Sequence, residues 1–223
     1  SASFDFIKEN WKLMLKFTTY LLLPICLIQA LSLNGLMGYI AVLTDLSGGG
    51  VSSDASLMMS FFSYYSLYMF VFLIGTIALT SLIYALIRTY NERDERLQGV
   101  TLGMLRPMLL RNVKRLVVMT LFGLVLMVLL GVIMGLMAAL IWPALFLVIP
   151  FVIILAVPLA LWAPIYLFED ISVMESLKKT FRLGFATWGG IFLISLIMGL
   201  IAGILQGVTM LSLIHISEPT RHA

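Results

Sequence analysis

The feature of this chain that most restricts its fold is a set of four long stretches without any acidic or basic side chain. They cover residues 17–44, 55–87, 116–168 and 183–210, which are 28, 33, 53 and 28 residues long. A helix crosses the hydrocarbon core of a bilayer, roughly 30 Å thick, with about 20 residues, because each residue adds 1.5 Å. The third stretch is therefore long enough for two crossings, and each of the others holds one.

These lengths predict an all-α protein, a multi-pass transmembrane helical bundle. The composition agrees, since hydrophobic residues make up 61% of the chain and charged residues only 11%, against about a quarter charged in soluble domains. The turn inside the longest stretch is placed at 141–143, where tryptophan suits the interface and proline suits the first turn of a helix. We predict one transmembrane domain over 1–210, with spans near 18–41, 57–86, 117–141, 144–167 and 190–210.

Within 1–210, lysine and arginine fall only before the first span and in alternate connections between the spans. The connection after the first span has two aspartates and no base, and the turn between the third and fourth spans is uncharged. The bases of the other connections are Lys8, Lys12, Lys16, Arg88, Arg93, Arg96, Arg106, Arg111, Lys114, Arg115, Lys178, Lys179 and Arg182. The positive-inside rule assigns their side to the cytoplasm, which predicts a cytoplasmic N-terminus.

The basic segments before the first, third and fifth spans are predicted to form amphipathic helices. Their apolar lines are Phe4, Ile7, Trp11 and Met14; then Leu102, Leu105, Leu109, Val113 and Leu116; then Met174, Leu177, Phe181, Gly184 and Trp188. The third segment opens with a capping box from Ser172 to Glu175.

Basic amphipathic helices lie in the membrane interface with their cations near anionic headgroups. The alternative is that these charges serve only to set the topology. The headgroup candidates are Lys8, Lys12, Lys16, Arg106, Arg111, Lys114, Arg115, Lys178, Lys179 and Arg182.

The final stretch, LSLIHISEPTR at 211–221, resembles the conceptual translation of a transposase adapter used to build sequencing libraries, over all of its residues. We therefore expect 211–223 to be an artefact tail that does not belong to the fold. The chain is then expected to be a truncated fragment holding five of six spans.

Residues that could carry catalysis are scarce. The only histidines, His215 and His222, lie in the expected tail, and Cys26 is the only cysteine. Histidine-based catalysis and histidine zinc sites are therefore excluded from 1–210. Glu92 lies four residues from both Arg88 and Arg96, which is the spacing of helical ion pairs. We predict no catalytic residue, no metal, no cofactor and no nucleic-acid partner; an enzyme would need a carboxylate cluster completed by the missing region.

Glycines four apart predict close helix packing in two spans. Gly131 and Gly135 lie in the third span, and Gly199, Gly203 and Gly207 lie in the fifth. Small residues at this spacing let helix backbones approach each other, although the spacing also arises by chance in glycine-rich spans. Our hypothesis is a contact between these two spans or with another copy of the chain.

Three prolines in the fourth span leave backbone carbonyls without their helical donors. Pro150, Pro158 and Pro164 are each unable to donate an amide hydrogen. The freed carbonyls either belong to packed kinks or line a cavity.

The stretch APIYLFEDISVMESLKKTFRLGFATWGGIF at 163–192 resembles a recurring segment of bacterial multi-pass proteins related to the membrane domain of glycerophosphodiester phosphodiesterases. The matching positions are Pro164, Glu169, Val173, Glu175, Ser176, Leu177, Lys178, Lys179, Thr180, Phe181 and Trp188. The resemblance implies six spans, a bacterial inner-membrane location and contact with phospholipid. It implies no reaction, because catalysis in that family belongs to a separate soluble domain.

These observations predict a non-enzymatic scaffold or accessory domain of the inner membrane. Its expected partners are membrane lipids with anionic headgroups, a membrane protein or a second copy of itself. The alternative is a carrier or channel for a lipid-like or apolar solute, with the proline-rich fourth span as a cavity wall.

Overall fold

The computed structural model describes residues 2–47, 55–140 and 145–217, with side chains at 6–38, 58–137, 146 and 150–208. The helices are α1 (Ala2–Ser47), α2 (Ala55–Glu92), α3 (Leu102–Leu140), α4 (Leu145–Leu159), α5 (Trp162–Glu169), α6 (Val173–Ala186) and α7 (Trp188–Ser217). No strand occurs within these ranges. The prediction of an all-α protein is confirmed.

Within the described ranges, five helical segments are long and apolar enough to cross a membrane. They are Phe6–Gly38, Met58–Glu92, Leu102–Met137, Pro150–Glu169 and Trp188–Val208. The predicted number and order of spans are thus confirmed, and the chain is a multi-pass membrane protein. The predicted turn at 141–143 lies outside the described residues.

The first three helices are much longer than a membrane crossing requires. They contain 46, 38 and 39 residues, which at 1.5 Å per residue gives roughly 69, 57 and 58 Å against a hydrocarbon core of roughly 30 Å. The basic segments 4–16 and 102–116 are therefore the ends of α1 and α3, whereas we expected separate interfacial helices. Helix elongation is cooperative, and a single internal proline such as Pro107 does not end α3. Only the third basic segment forms a helix of its own, α6.

The chain divides into two compact units, residues 1–118 and 119–223. The core of the first unit joins the three helix ends to the linker 93–101, and its buried members are Phe17, Leu82, Leu86, Leu97, Val100 and Leu105. The linker turns back with a left-handed Gly99, at φ 66°, a conformation that glycine adopts without steric cost. The linker thereby buries two of its own apolar side chains against α1, α2 and α3.

At the start of α3 the predicted apolar line faces the protein, where Leu105 and Leu116 are buried, whereas we expected it to lie in the membrane interface. The line predicted for α1 is divided between two surfaces. Ile7 and Trp11 are 54% and 53% exposed, and the side chains of α1 that pack on the core besides Phe17 are Phe6, Leu13, Met14 and Leu21. Met14 of the predicted line therefore packs on the protein, whereas Ile7 and Trp11 face away from it.

Two buried polar side chains join α2 to α3 in the first unit. The Ser81 hydroxyl donates to the carbonyl of Leu109 at 2.9 Å, and the Asn112 amide donates to the carbonyl of Ser81 at 3.2 Å. Each donor is buried and has an acceptor on the facing helix. Such interhelical bonds are typical of membrane helices, where an unbonded amide in hydrocarbon is costly.

The fourth span is broken in the second unit, between α4 and α5. Tight turns carry the chain across the break, with Ala160 N donating to Val157 O at 3.2 Å and Leu161 N to Pro158 O at 3.0 Å. Pro158 lacks the amide that would bond the carbonyl of Ile154. That carbonyl instead accepts from the Trp188 indole nitrogen at 3.3 Å. At Pro158 the structure therefore supports a packed kink and not a carbonyl that lines a cavity.

Helix α7 runs from Trp188 to Ser217, so the expected artefact segment begins inside a helix. Residues 218–223 lie outside the described residues. The side chains of 192–208 are all exposed within this chain, as suits a helix surrounded by lipid or by another protein.

Candidate functional site

Helix α6 is held against the broken span by a stripe of small residues. Ser176, Thr180 and Gly184 lie four apart and are all buried. The Trp162 indole donates to the Ser176 hydroxyl at 3.0 Å. A Cβ atom added at Gly184 would lie 2.6 Å from Cα and Cβ of Pro158, so the two backbones touch there. Sequence reasoning missed this contact, although the three small residues at helical spacing are its signal.

The start of α6 is fixed by local polar contacts. The predicted capping box is confirmed, because the Ser172 hydroxyl accepts from the Glu175 amide at 3.3 Å and the Ser172 amide donates to the Glu175 carboxylate at 3.2 Å. The Ser172 hydroxyl also donates to the Glu175 carboxylate at 2.9 Å. This bond first, and then the bond from the Ser172 amide, lower the pKa of Glu175 from its ordinary value, because both favour the ionised carboxylate. Glu169, at the end of α5, accepts from the Lys179 ammonium at 2.6 Å, which ties the two helices together.

The outer surface of α6 carries an apolar strip next to a basic strip. Met174 and Phe185 are 50% and 49% exposed, and Phe185 stacks on the half-buried Phe181 with ring centroids 5.9 Å apart. Lys178 and Arg182 are exposed one turn apart. With 3.6 residues per turn, these two cations lie at the edge of the apolar strip.

The predicted apolar line of this helix is thus divided between two surfaces. Gly184 faces the protein, whereas Met174 faces outward. Lys179 is half-buried and paired with Glu169, so of the three headgroup candidates on α6 it is the one engaged within the chain. The sequence distinguishes apolar from charged positions, and only the small-residue stripe indicates which positions meet α4 and α5.

The headgroup candidates of α1, Lys8, Lys12 and Lys16, are all exposed. The Lys12 ammonium lies 5.7 Å from the centre of the Trp11 ring, within the range of a cation–π contact.

The start of α1 also forms an ion pair with the linker 93–101. Glu9 accepts from the Arg96 guanidinium at 2.7 Å, and that guanidinium lies 5.2 Å from the centre of the Tyr90 ring. The helical spacing expected between Glu92 and Arg96 does not occur, because α2 ends at Glu92 and Arg96 lies in the linker. The expected pair of Arg88 with Glu92 is confirmed at 2.7 Å.

The candidates on α3 flank the side that packs on the core. Arg106, Arg111 and Lys114 are exposed, and Arg115 is half-buried. Because the apolar line of this segment faces the protein, the exposed bases face away from the first unit's core.

The five glycines proposed for helix packing have open surroundings. Apart from the adjacent residues and the backbone of the same helix, no described heavy atom lies within 4 Å of a Cβ atom added at Gly131, Gly135, Gly199, Gly203 or Gly207. Close packing between the third and fifth spans at these glycines is therefore absent from the described part of the structure. Contact with another copy stays a prediction. The closest approaches to described glycines are at Gly184 and at Gly35, where an added Cβ would lie 2.5 Å from the Tyr64 ring.

Among the described residues, no group of three or more histidine, cysteine, aspartate or glutamate side chains is placed to hold a metal ion. The chain matches no protein-family model, and no curated protein or solved structure is significantly similar to it.

Proposed function

We propose that this protein is a non-enzymatic scaffold or accessory protein of the bacterial inner membrane, and that its basic helices bind anionic phospholipid headgroups on the cytoplasmic side. The N-terminus is then cytoplasmic. Support comes from the five membrane-crossing segments and from the thirteen bases restricted to alternate connections, which the positive-inside rule assigns to the cytoplasm.

The observation that carries the lipid proposal is the geometry of α6. One side of the helix is fixed to α4 and α5 by close packing, and the outer side carries exposed Met174 and Phe185 beside exposed Lys178 and Arg182. An apolar strip of this kind enters the acyl boundary while the adjacent cations reach the phosphates. Because packing already orders the helix, lipid contact does not require it to fold on the membrane.

The test is the lipid dependence of thermal stability in a neutral detergent. Added phosphatidylglycerol should raise the unfolding midpoint more than phosphatidylcholine with the same acyl chains, because only the anionic lipid pairs with the cations. The double variant Lys178→Gln/Arg182→Gln should bind phosphatidylglycerol roughly 25-fold more weakly, at about 1 kcal/mol per base near an anionic surface. The charge-conserving Lys178→Arg/Arg182→Lys variant is the control. Equal effects of the two lipids on the unmodified protein would refute the proposal.

Orientation is tested separately by thiol labelling in intact cells, after Cys26→Ser removes the only native thiol. Gln98→Cys introduces a thiol at an exposed linker position, and Ser53→Cys introduces one in the connection without bases. A membrane-impermeant maleimide should label position 53 and leave position 98 unmodified until the cells are opened. Labelling of position 98 in intact cells would show that the orientation is the opposite of the one proposed.

A carrier for an apolar solute is the second candidate, and the break between α4 and α5 favours it. Broken helices line the binding sites of many transporters. In the Cys26→Ser background, Ala160→Cys at the break should react with a water-soluble maleimide in proteoliposomes if a hydrated cavity reaches it. Leu196→Cys, on the exposed surface of α7, is the lipid-facing control. Equal protection of both positions would contradict a carrier.

A further inference from the structure

Six side chains at the start of α1 form a shallow groove of about 470 Å³. They are Trp11, Lys12, Leu15, Lys16, Thr19 and Tyr20. On a helix these residues form two adjacent rows of positions four apart. One row holds Trp11, Leu15 and Thr19, and the other holds the two lysines and Tyr20. The groove therefore combines a largely apolar wall with a cationic wall.

This groove lies on the side of α1 that faces away from the protein. Trp11, Leu15 and Tyr20 are 53%, 60% and 75% exposed. By contrast, Phe17 is buried in the core and Leu21 packs against it. At 100° per residue, the centre of the groove lies roughly 160° around the helix from these core-facing positions. A ligand bound in this groove would therefore come from outside the first unit.

The depth of the groove matches the headgroup layer. The charge-free stretch starts at residue 17, so Lys16 lies at its boundary and Lys12 lies one turn, about 6 Å, farther out. The headgroup layer on each side of the hydrocarbon is roughly 5–8 Å thick. Both ammonium groups are therefore at the depth of lipid phosphates, while Tyr20 lies about 6 Å deeper than Lys16.

We propose that this groove binds one anionic phospholipid. Its phosphate lies between the ammonium groups of Lys12 and Lys16, and one acyl chain runs along Leu15 toward Tyr20. The contact between Lys12 and the Trp11 ring, at 5.7 Å, keeps the first ammonium beside the apolar wall. The proposal rests on the function proposed above, and it assigns a discrete site on α1 that is independent of α6.

The experiment counts bound lipids by native mass spectrometry of the detergent-solubilised full chain. Phosphatidylglycerol and phosphatidylcholine with the same acyl chains are titrated into separate samples. The first phosphatidylglycerol should bind more tightly than the first phosphatidylcholine. The lysine variants are made in the Lys178→Gln/Arg182→Gln background, so that α6 does not supply a second site of similar affinity. In that background Lys12→Gln/Lys16→Gln should lower the affinity for the first phosphatidylglycerol roughly 25-fold, at a factor of about five for each lysine. Lys12→Arg/Lys16→Arg should keep the tight binding, and the unfolding midpoint of each variant checks that it is folded.

The matched control is Lys8→Gln/Lys114→Gln, which removes two exposed lysines that do not line the groove. If this control weakens binding as much as the groove variant does, net charge explains the effect and the proposed site is refuted. If the groove variant in the Lys178→Gln/Arg182→Gln background keeps the preference for phosphatidylglycerol, the groove proposal fails, and the α6 proposal stands if Lys178→Gln/Arg182→Gln alone weakens the binding. If the unmodified protein has no preference between the two lipids, both proposals fail. Displacement of the bound lipid by inorganic phosphate alone would show that the groove recognises a free anion, which also overturns the proposal.

Discussion

Substitution of Gly184 by alanine tests how tightly α6 is packed against α4. The added Cβ would lie 2.6 Å from Cα and Cβ of Pro158, about 1 Å closer than the ordinary van der Waals separation of carbon atoms. One contact is with backbone, so the strain is relieved only if a helix moves. Overpacking of this size costs about 1–3 kcal/mol, while alanine in place of glycine inside a helix gains about 1 kcal/mol. We expect a net loss of about 0–2 kcal/mol.

Gly131→Ala is the matched control in the same unit, because an added Cβ there meets no described atom within 4 Å. It should gain the helix-propensity term without the strain, so the two variants should differ by about 1–3 kcal/mol. The assay is reversible unfolding by SDS in mixed micelles, followed by far-ultraviolet circular dichroism. If Gly184→Ala proves as stable as Gly131→Ala, the contact between α4 and α6 is not tight. Packing on α4 would then not hold α6 in a fixed orientation.

Three further predictions follow from polar contacts. Trp188→Phe removes the donor to the carbonyl of Ile154 and should cost about 0.5–1.5 kcal/mol in the same SDS assay; an unchanged midpoint would show that this carbonyl needs no donor. Asn112→Leu removes the bond to the carbonyl of Ser81 and should destabilise the first unit by about 0.6–2 kcal/mol, and no change in SDS unfolding would count against this interhelical bond. The lowered pKa of Glu175 means that capping is intact near neutral pH and is lost as the pH falls through that lowered value. Circular dichroism should therefore show acid-induced loss of helix that is smaller in Glu175→Gln, whose amide stays uncharged, and identical acid titrations of the two proteins would contradict the cap.

The sequence predicted the spans and the caps because each depends on local information. Charge-free length fixes the number of crossings, and the Ser172–Glu175 box depends only on residues three apart. The pairing of Arg96 with Glu9 was not predictable, because these residues lie 87 positions apart. Their approach depends on the linker folding back onto α1.

The sequence also did not predict which face of each helix contacts the protein. An amphipathic pattern shows which residues avoid water, but in a membrane protein apolar side chains face lipid as readily as they face protein. Trp11 and Met174 are exposed, although they stand in the same predicted apolar lines as Met14 and Gly184, which pack on the protein. Gly184 was placed in an apolar line, whereas its role is to admit Pro158. Small size was the more informative property at that position.

The cluster of Phe17, Leu82, Leu86, Leu97, Val100 and Leu105 has a consequence for denaturation. The linker residues Leu97 and Val100 follow the charged end of α2, so water and not lipid is the solvent they would meet on opening. The hydrophobic effect therefore acts on this end of the molecule as it does in a soluble protein, while apolar surface within the bilayer gains nothing by leaving lipid. Urea and guanidinium weaken burial from water, so they should loosen the 93–105 region at concentrations that leave the helices inside the bilayer intact.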